Sequence, residues 1–153
     1  MTSDLFRAMA TFGATVMLVL TPQLAGAQED GPAHAGIGGL GAIGLPGGMT
    51  ALRVSAVGES AGFDIDFGLL SDGLGGRDGF ASAQLRFMPF PRKADGSRKA
   101  FLIGLNSGGA LGPGRQIGMG TDWVHRRLRV GLDLVMGSHG IFGQLFFVWG
   151  RNR

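Results

Sequence analysis

The chain contains no cysteine and no tyrosine, and only 6 of its 153 residues are proline. Without cysteine there can be no disulfide framework, so an exported domain of this size must be held together by burial or by a membrane. After residue 27, no apolar run reaches the 18 or more residues that a membrane-spanning helix needs. The sequence therefore excludes a disulfide-stapled scaffold and a helical membrane span in this part of the chain.

Residues 1–27 have the organisation of a signal peptide. Arg7 supplies a basic start, residues 8–20 form an apolar run, and small residues (AGA) follow at 25–27. We predict cleavage after this AGA, which makes Gln28 the mature N-terminus. The alternative is an uncleaved membrane anchor formed by the same apolar segment. In both cases the chain is exported.

The rest of the chain is long enough for one domain but not for two. Its charge surplus is mild, since the formal net charge of the whole chain is +3. Such a surplus suits weak attraction to anionic surfaces, including lipid headgroups. Lysine and arginine are not clustered into the stripe that nucleic-acid binding requires, so we expect no nucleic-acid partner.

Glycine is frequent, with 30 residues in the chain, and it joins Pro, Asp and Ser at breaks between segments of alternating polarity. Helical periodicity is absent after the leader. The pattern predicts an all-β protein, an antiparallel up-and-down barrel of about eight strands joined as consecutive hairpins. The predicted strands cover residues 35–45, 49–58, 61–70, 80–88, 99–107, 115–124, 127–136 and 140–150.

The glycine-rich segment 28–48 leaves one choice open. Its central stretch, HAGIGGLGAIGLPGG, has a poor strand preference. The segment is therefore either the first strand or a flexible mature N-terminus, and the second case leaves seven strands. The barrel itself is predicted over residues 49–153.

The stretch RLRVGLDLVMG, residues 127–137, shows the alternation most clearly. Its leucines and valine fall on one face, and its arginines, glycine and aspartate fall on the other. In a soluble protein the leucines would point into a core. In a membrane barrel they would point into lipid, with the charged residues inside.

The polar faces of the clearer strands combine small residues with single charges of both signs. A balanced set of this kind fits the narrow lumen of an eight-stranded barrel, which holds small side chains and paired ions but no wide channel. The alternative is the ordinary solvated face of a soluble sandwich. The predicted set consists of Arg53, Arg86, Arg127 and Arg129, balanced by Asp64, Asp66, Asp122 and Asp133.

Aromatic residues are expected to collect at one rim. If both termini lie on the periplasmic side, six apolar-face residues mark that rim: Phe63, Phe87, Phe101, Trp123, Leu128 and Trp149. Five of the six are aromatic, which resembles an interfacial girdle. The last predicted strand, GIFGQLFFVWG, is apolar on both faces. In a membrane barrel its Phe142, Phe146 and Val148 would have to pack inside the lumen as an apolar plug.

With these features the chain resembles the small bacterial outer-membrane β-barrel proteins, the eight-stranded class that includes opacity-type and OmpX-like proteins. The leader ending in AGA, the hairpin IGMGTDWVHRRLRVGLDLVMG and the aromatic last strand carry the resemblance. It implies a closed barrel in the outer membrane of a Gram-negative bacterium.

Motifs that could carry chemistry are weak. GIGGLG at 36–41 matches the dinucleotide-binding pattern by letters, but no helix follows it, so we expect no nucleotide. Asp72 and Asp78 in SDGLGGRDG are too few ligands for calcium and are interpreted as turn residues. We expect no bound cofactor.

Two further features are weighed as sites of catalysis or metal binding. Ser138 and His139 are adjacent in a turn, a poor arrangement for a nucleophile and its base. His34 and His125 are isolated, and without cysteine few metal ligands exist. We therefore expect no catalytic residue and no metal site.

Three functional hypotheses follow. The first is a non-enzymatic outer-membrane barrel with a structural or surface-interaction role, whose partners are membrane lipids and an envelope protein. The second is a soluble periplasmic barrel or sandwich that binds an apolar ligand or a partner protein. The third, a membrane-anchored enzyme acting on lipids, needs the Ser138–His139 pair to be more than a turn.

Overall fold

The computed structural model describes residues 34–43, 48–71, 74, 77–107, 114–137 and 140–152. These residues form eight strands in an all-antiparallel arrangement that closes into a barrel. The strands are β1 His34–Ile43, β2 Met49–Val57, β3 Ala61–Ser71, β4 Arg77–Phe87, β5 Ser97–Ser107, β6 Gly114–His125, β7 Leu128–Gly137 and β8 Gly140–Asn152. The predicted fold class is confirmed. No helix among the described residues has the length and apolar character to cross a membrane.

Each strand pairs with its neighbours in sequence, and β1 pairs with both β2 and β8 to close the barrel. Residues 34–43 of the glycine-rich segment are therefore the first strand, and the rest of the predicted strand 35–45 lies outside the described residues. The glycines of β1 allow close approach, since a Cβ placed on Gly39 would lie only 2.8 Å from the Phe147 ring of β8. Weak intrinsic strand preference is overridden here by pairing on both edges.

The even strand number places the start of β1 and the end of β8 at the same end of the barrel. We call this the terminal end, and it also carries the connections 58–60, 88–96 and 126–127. The opposite end, at which the other four connections lie, is called the distal end.

The tight connection between β6 and β7 uses no glycine. His125 pairs with Leu128, and Arg126 between them has a φ of 51°, in the left-handed region. A non-glycine residue costs about 1–2 kcal/mol there. Two contacts hold the turn in place, because Arg127 O accepts hydrogen bonds from the Gly150 N–H (2.8 Å) and from His34 Nε2 (3.2 Å).

The inner face of the barrel is filled by side chains. The larger apolar cluster lies mainly towards the distal end and consists of Leu40, Met49, Leu70, Phe80, Leu102, Val135, Phe142, Phe146 and Val148. A smaller cluster of Val57, Met88 and Ala100 lies at the terminal end. The three residues of the last strand that fitted no simple amphipathic pattern, Phe142, Phe146 and Val148, all point inward and are buried.

Gly131 on β7 makes room for the largest of these side chains. A Cβ at this position would overlap the ring of Phe146, which lies opposite it on β8. The ring therefore occupies the volume that a side chain at position 131 on the neighbouring strand would otherwise fill.

We expect Gly131→Ala to lower the free energy of unfolding by about 1–3 kcal/mol, because the added methyl group forces the Phe146 ring to move in a filled interior. Urea unfolding followed by tryptophan fluorescence measures the change. Gly41→Ala is the matched control, since a Cβ on Gly41 has its nearest neighbour, Met49 O, at 4.0 Å. Equal stability of the two variants would contradict this account of Gly131.

Candidate functional site: the lumen and the outer face

Eight charged side chains are buried together inside the barrel, and we call them the lumen cluster. It consists of Arg53, Arg86, Arg98, Arg129, Asp64, Asp66, Asp122 and Asp133. They come from six strands, β2 to β7, and their formal charges sum to zero. Buried charges are tolerated only when they are paired, so this balance is a condition for the barrel to close around them.

Arg53 and Asp66 form the best-aligned pair of the cluster. Arg53 Nε donates to Asp66 Oδ1 at 2.7 Å and Nη2 donates to Oδ2 at 3.0 Å, a two-pronged contact between opposite residues of β2 and β3. Ser82 Oγ donates a further hydrogen bond to Asp66 at 2.8 Å. Charge-assisted bidentate contacts of this kind fix both orientation and register.

Two other arginines reach across the lumen. Arg86 on β4 contacts Asp64 on β3 and Asp133 on β7, donating from Nη1 to Asp133 Oδ1 at 3.0 Å. Arg129 on β7 donates to Asp122 at 2.7 Å and to Asp64 at 3.2 Å. Asp64 therefore receives arginines from both sides of the barrel, and the opposite walls are joined through it.

Phe146 lies at the centre of the arginines. The guanidinium carbons of Arg53, Arg86 and Arg129 are 4.6, 4.8 and 4.7 Å from the centroid of its ring. The aromatic face attracts cations, and the guanidinium groups can stack against it. An aromatic residue on the polar side of the last strand is thus part of the charged layer and not a defect in it.

Arg98 lies nearer to the terminal mouth. Its Nη1 donates to the carbonyl oxygens of Gly58 (2.9 Å) and Glu59 (2.8 Å) in the β2–β3 turn, and its Nε lies 3.7 Å from Asp122 Oδ1. Arg98 sits on β5, so this side chain links β5 to a turn across the barrel opening.

The predicted polar set is brought together with one correction. Seven of the eight predicted residues are in the lumen cluster, but Arg127 is exposed in the turn 126–127. Arg98 takes its place as the fourth buried arginine. The prediction missed Arg98 because it assigned PFPRKADGSRK to a break and started the fifth strand at residue 99, whereas β5 begins at Ser97.

The outer face carries a wide apolar surface. Alternate residues along the strands expose large apolar side chains, and Leu132 and Leu134 of β7, for example, are each 53% exposed. Their neighbours Asp133 and Val135 are buried inside. Phe63 and Ile65 on β3 are the exception, since they alternate with Asp64 and Asp66 and yet are buried. The exposed residues include Ile37, Leu52, Leu69, Leu85, Phe87, Phe101, Ile103, Leu105, Ile117, Met119, Trp123, Met136, Ile141, Leu145, Phe147 and Trp149.

Aromatic residues of this surface collect towards the terminal end. Phe87 and Phe101 are direct partners between β4 and β5, and Trp123 and Trp149 lie near the terminal ends of β6 and β8. All four are exposed, as predicted for a rim girdle. Phe63, which was also predicted for this rim, is buried, and Leu128 is half-buried.

The residues of the motifs that suggested chemistry lie apart from one another wherever the structure describes them. GIGGLG lies within β1, and Asp78 is exposed at the distal start of β4. His34 is buried and bonded to the β6–β7 turn, whereas His125 is exposed. Asp72, Ser138 and His139 lie outside the described residues. Within the part of the chain that is described, no group of three or more His, Asp or Glu side chains could hold a metal ion.

Comparison with known proteins adds no relative, since no family model, curated protein or solved structure matches this chain.

We expect Arg86→Ala to lower the free energy of unfolding by about 3–5 kcal/mol, because it leaves Asp64 and Asp133 buried without that partner. Urea unfolding in detergent, followed by tryptophan fluorescence, measures the loss. Arg115→Ala removes an exposed arginine from the barrel and should change stability by less than about 0.5 kcal/mol. Similar losses in the two variants would contradict the assigned role of Arg86.

A double-mutant cycle on Arg53 and Asp66 tests whether the pair acts as a unit. We expect Arg53→Met and Asp66→Leu each to destabilise the barrel strongly, and the double variant to lose less than the sum of the two single losses. The same urea titration measures all three variants. Strictly additive losses would mean that the two side chains stabilise the barrel independently.

Proposed function

We propose that this protein is a small β-barrel of a Gram-negative outer membrane with a structural or surface-interaction role. The observation that carries the proposal is the inverted distribution of polarity. Large apolar side chains are exposed around the barrel, while four arginines and four aspartates are buried inside it. A contiguous exposed apolar surface of this extent is typical of a face that meets lipid or a partner.

The strand dimensions support a membrane setting. The strands contain 9 to 13 residues, and a tilted strand of about 9–11 residues spans the hydrocarbon core. Charged side chains on the outer face lie near strand ends, as with Lys99 on β5, Arg115 on β6 and Arg151 on β8. Closure of the barrel also gives every strand a paired neighbour on both edges, as a lipid environment requires.

A soluble periplasmic barrel is the alternative, and it would need an apolar ligand inside or a protein partner on its outer face. An apolar ligand would have to use the cavity of about 1040 Å³ lined by residues such as Leu40, Met49 and Phe146, because the lumen cluster occupies the middle layer of the barrel. The exposed leucines would then need a protein partner to cover them. We favour the membrane because lipid covers all sides of the barrel at once.

The filled lumen also argues for a structural or surface role over transport. Phe146, three guanidinium groups and their aspartates occupy the same layer of the barrel. An eight-stranded barrel is just wide enough for its side chains to fill it. The proposed role therefore resides in the outer face and the two ends.

Cysteine labelling on β7 tests the proposed setting in this cysteine-free chain. In outer-membrane vesicles we expect Leu134→Cys to react with a lipid-phase maleimide and to resist a water-soluble one, because its side chain faces hydrocarbon. Val135→Cys is the matched control. Its side chain points into the filled lumen, so it should react with neither reagent until the protein is unfolded.

Free reaction of Leu134→Cys with the water-soluble reagent would overturn the membrane proposal. Release of the protein by osmotic shock, without heat-modifiable migration in detergent, would do the same. Both results would favour the periplasmic alternative.

Planar bilayer recording tests the structural role. We expect the reconstituted protein to give no discrete conductance steps, because the charged layer blocks the lumen. Heat-modifiable migration of the same preparation serves as the control for insertion. Stepwise ion conductance from inserted, folded protein would show that the role is transport instead.

A further inference from the structure

The charges outside the lumen are distributed unevenly between the two ends of the barrel. Five exposed cations lie at the terminal end, and we call them the terminal collar: Lys93, Lys99, Arg126, Arg127 and Arg151. Only two carboxylates, Glu59 and Asp95, share that end in the described residues. In the described residues, the distal ends of the strands carry Arg77, Asp78 and Arg115, with a net charge of +1. Since the lumen cluster is neutral, most of the positive surplus of the described residues lies at the terminal end.

The terminal collar lies next to the exposed aromatic residues of the outer face. Lys99 lies two residues beyond Phe101 on the same face of β5, and Arg151 lies two residues beyond Trp149 on β8. A two-residue step along a strand advances about 7 Å. The cations therefore stand one layer outside the aromatics, in the direction away from the apolar belt.

Between β5 and β6 the order is the reverse, since Trp123 lies one step nearer the terminal end than Lys99. Lys99 pairs with Thr121 and Ser97 pairs with Trp123, so the Lys99 and Trp123 side chains emerge close together on the outer face. Neither Lys99 nor Arg151 forms a salt bridge with any described residue. Their charges are available to a ligand.

We propose that the terminal collar binds the phosphate groups of anionic phospholipids in the leaflet that meets the terminal end. Aromatic side chains lie at the level of lipid headgroups, and cations just beyond them meet the phosphates. This inference rests on the proposed membrane location. It adds a lipid class and an orientation, because only one end of the barrel is matched to an anionic leaflet.

Tryptophan quenching tests the proposal directly, since the only two tryptophans of the chain, Trp123 and Trp149, lie beside the collar. The protein is reconstituted in phosphatidylcholine vesicles that contain brominated phosphatidylglycerol or, in parallel, brominated phosphatidylcholine. The two quenching curves give the relative binding constant of the anionic lipid at the protein surface.

We expect the wild-type protein to prefer phosphatidylglycerol, and we expect high salt to weaken this preference. Lys99→Gln and Arg151→Gln should each reduce it by up to about fivefold, which corresponds to about 1 kcal/mol per cation. Both residues are exposed, so the barrel should remain folded. Arg115→Gln, which removes an outer-face cation from the distal end, is the matched control and should leave the preference unchanged.

The outcomes separate this inference from the proposed function. Absence of heat-modifiable, vesicle-inserted protein would overturn the membrane location and the collar assignment together. Inserted protein with equal quenching by the two lipids would overturn the collar assignment alone. So would an equal loss of preference in Arg115→Gln. Loss of binding to a soluble acidic polymer in the collar variants, with no lipid preference in the wild type, would assign the collar to a non-lipid partner instead.

Discussion

The Coulomb attraction between four guanidinium groups and four carboxylates in the lumen is the interaction on which the rest of this barrel depends. In an interior of low dielectric constant, such a charge is stable only beside its partner. Here the partners belong to different strands, and Asp64 is approached by arginines of β2, β4 and β7. A slip of one residue in any of these strands would turn its charge outward and leave others unpaired. The cluster therefore specifies the register of the sheet as well as filling it.

The abundance of glycine follows from the same constraint. Large inward side chains such as Phe146 fit inside eight strands only if the residue paired with them on the neighbouring strand is small. Gly131 faces Phe146, and Gly120 lies where a Cβ would overlap the Asp133 carboxylate. The glycines make parts of the sequence look like a low-complexity tract, but in the folded barrel they leave room for a few large side chains.

The sequence predicts the number, order and approximate limits of the strands, because a period of two and the turn residues are local signals. The choice of inner face is a different matter. The alternation of Leu132 with Asp133 is the same whether the leucine faces a core, a partner or lipid, and only closure of the barrel shows the aspartate inside. The prediction placed Arg127 in the lumen instead of Arg98 for a related reason, because it depends on where each strand begins. β5 begins at Ser97 and includes Arg98, whereas β7 begins at Leu128 and leaves Arg127 in the turn. Pairing on both edges made β1 a strand despite its composition, and no local signal carries that information.

The two strands that meet at the closure, β1 and β8, contribute no residue to the lumen cluster. The ion pairs can therefore form on a curved sheet of the six inner strands before the cylinder is complete. From β8, Phe146 packs its ring against three of the four guanidinium groups. The first and last strands can thus separate from each other without breaking any ion pair of the lumen cluster, so the seam of this barrel is held by backbone pairing and by packing rather than by charge.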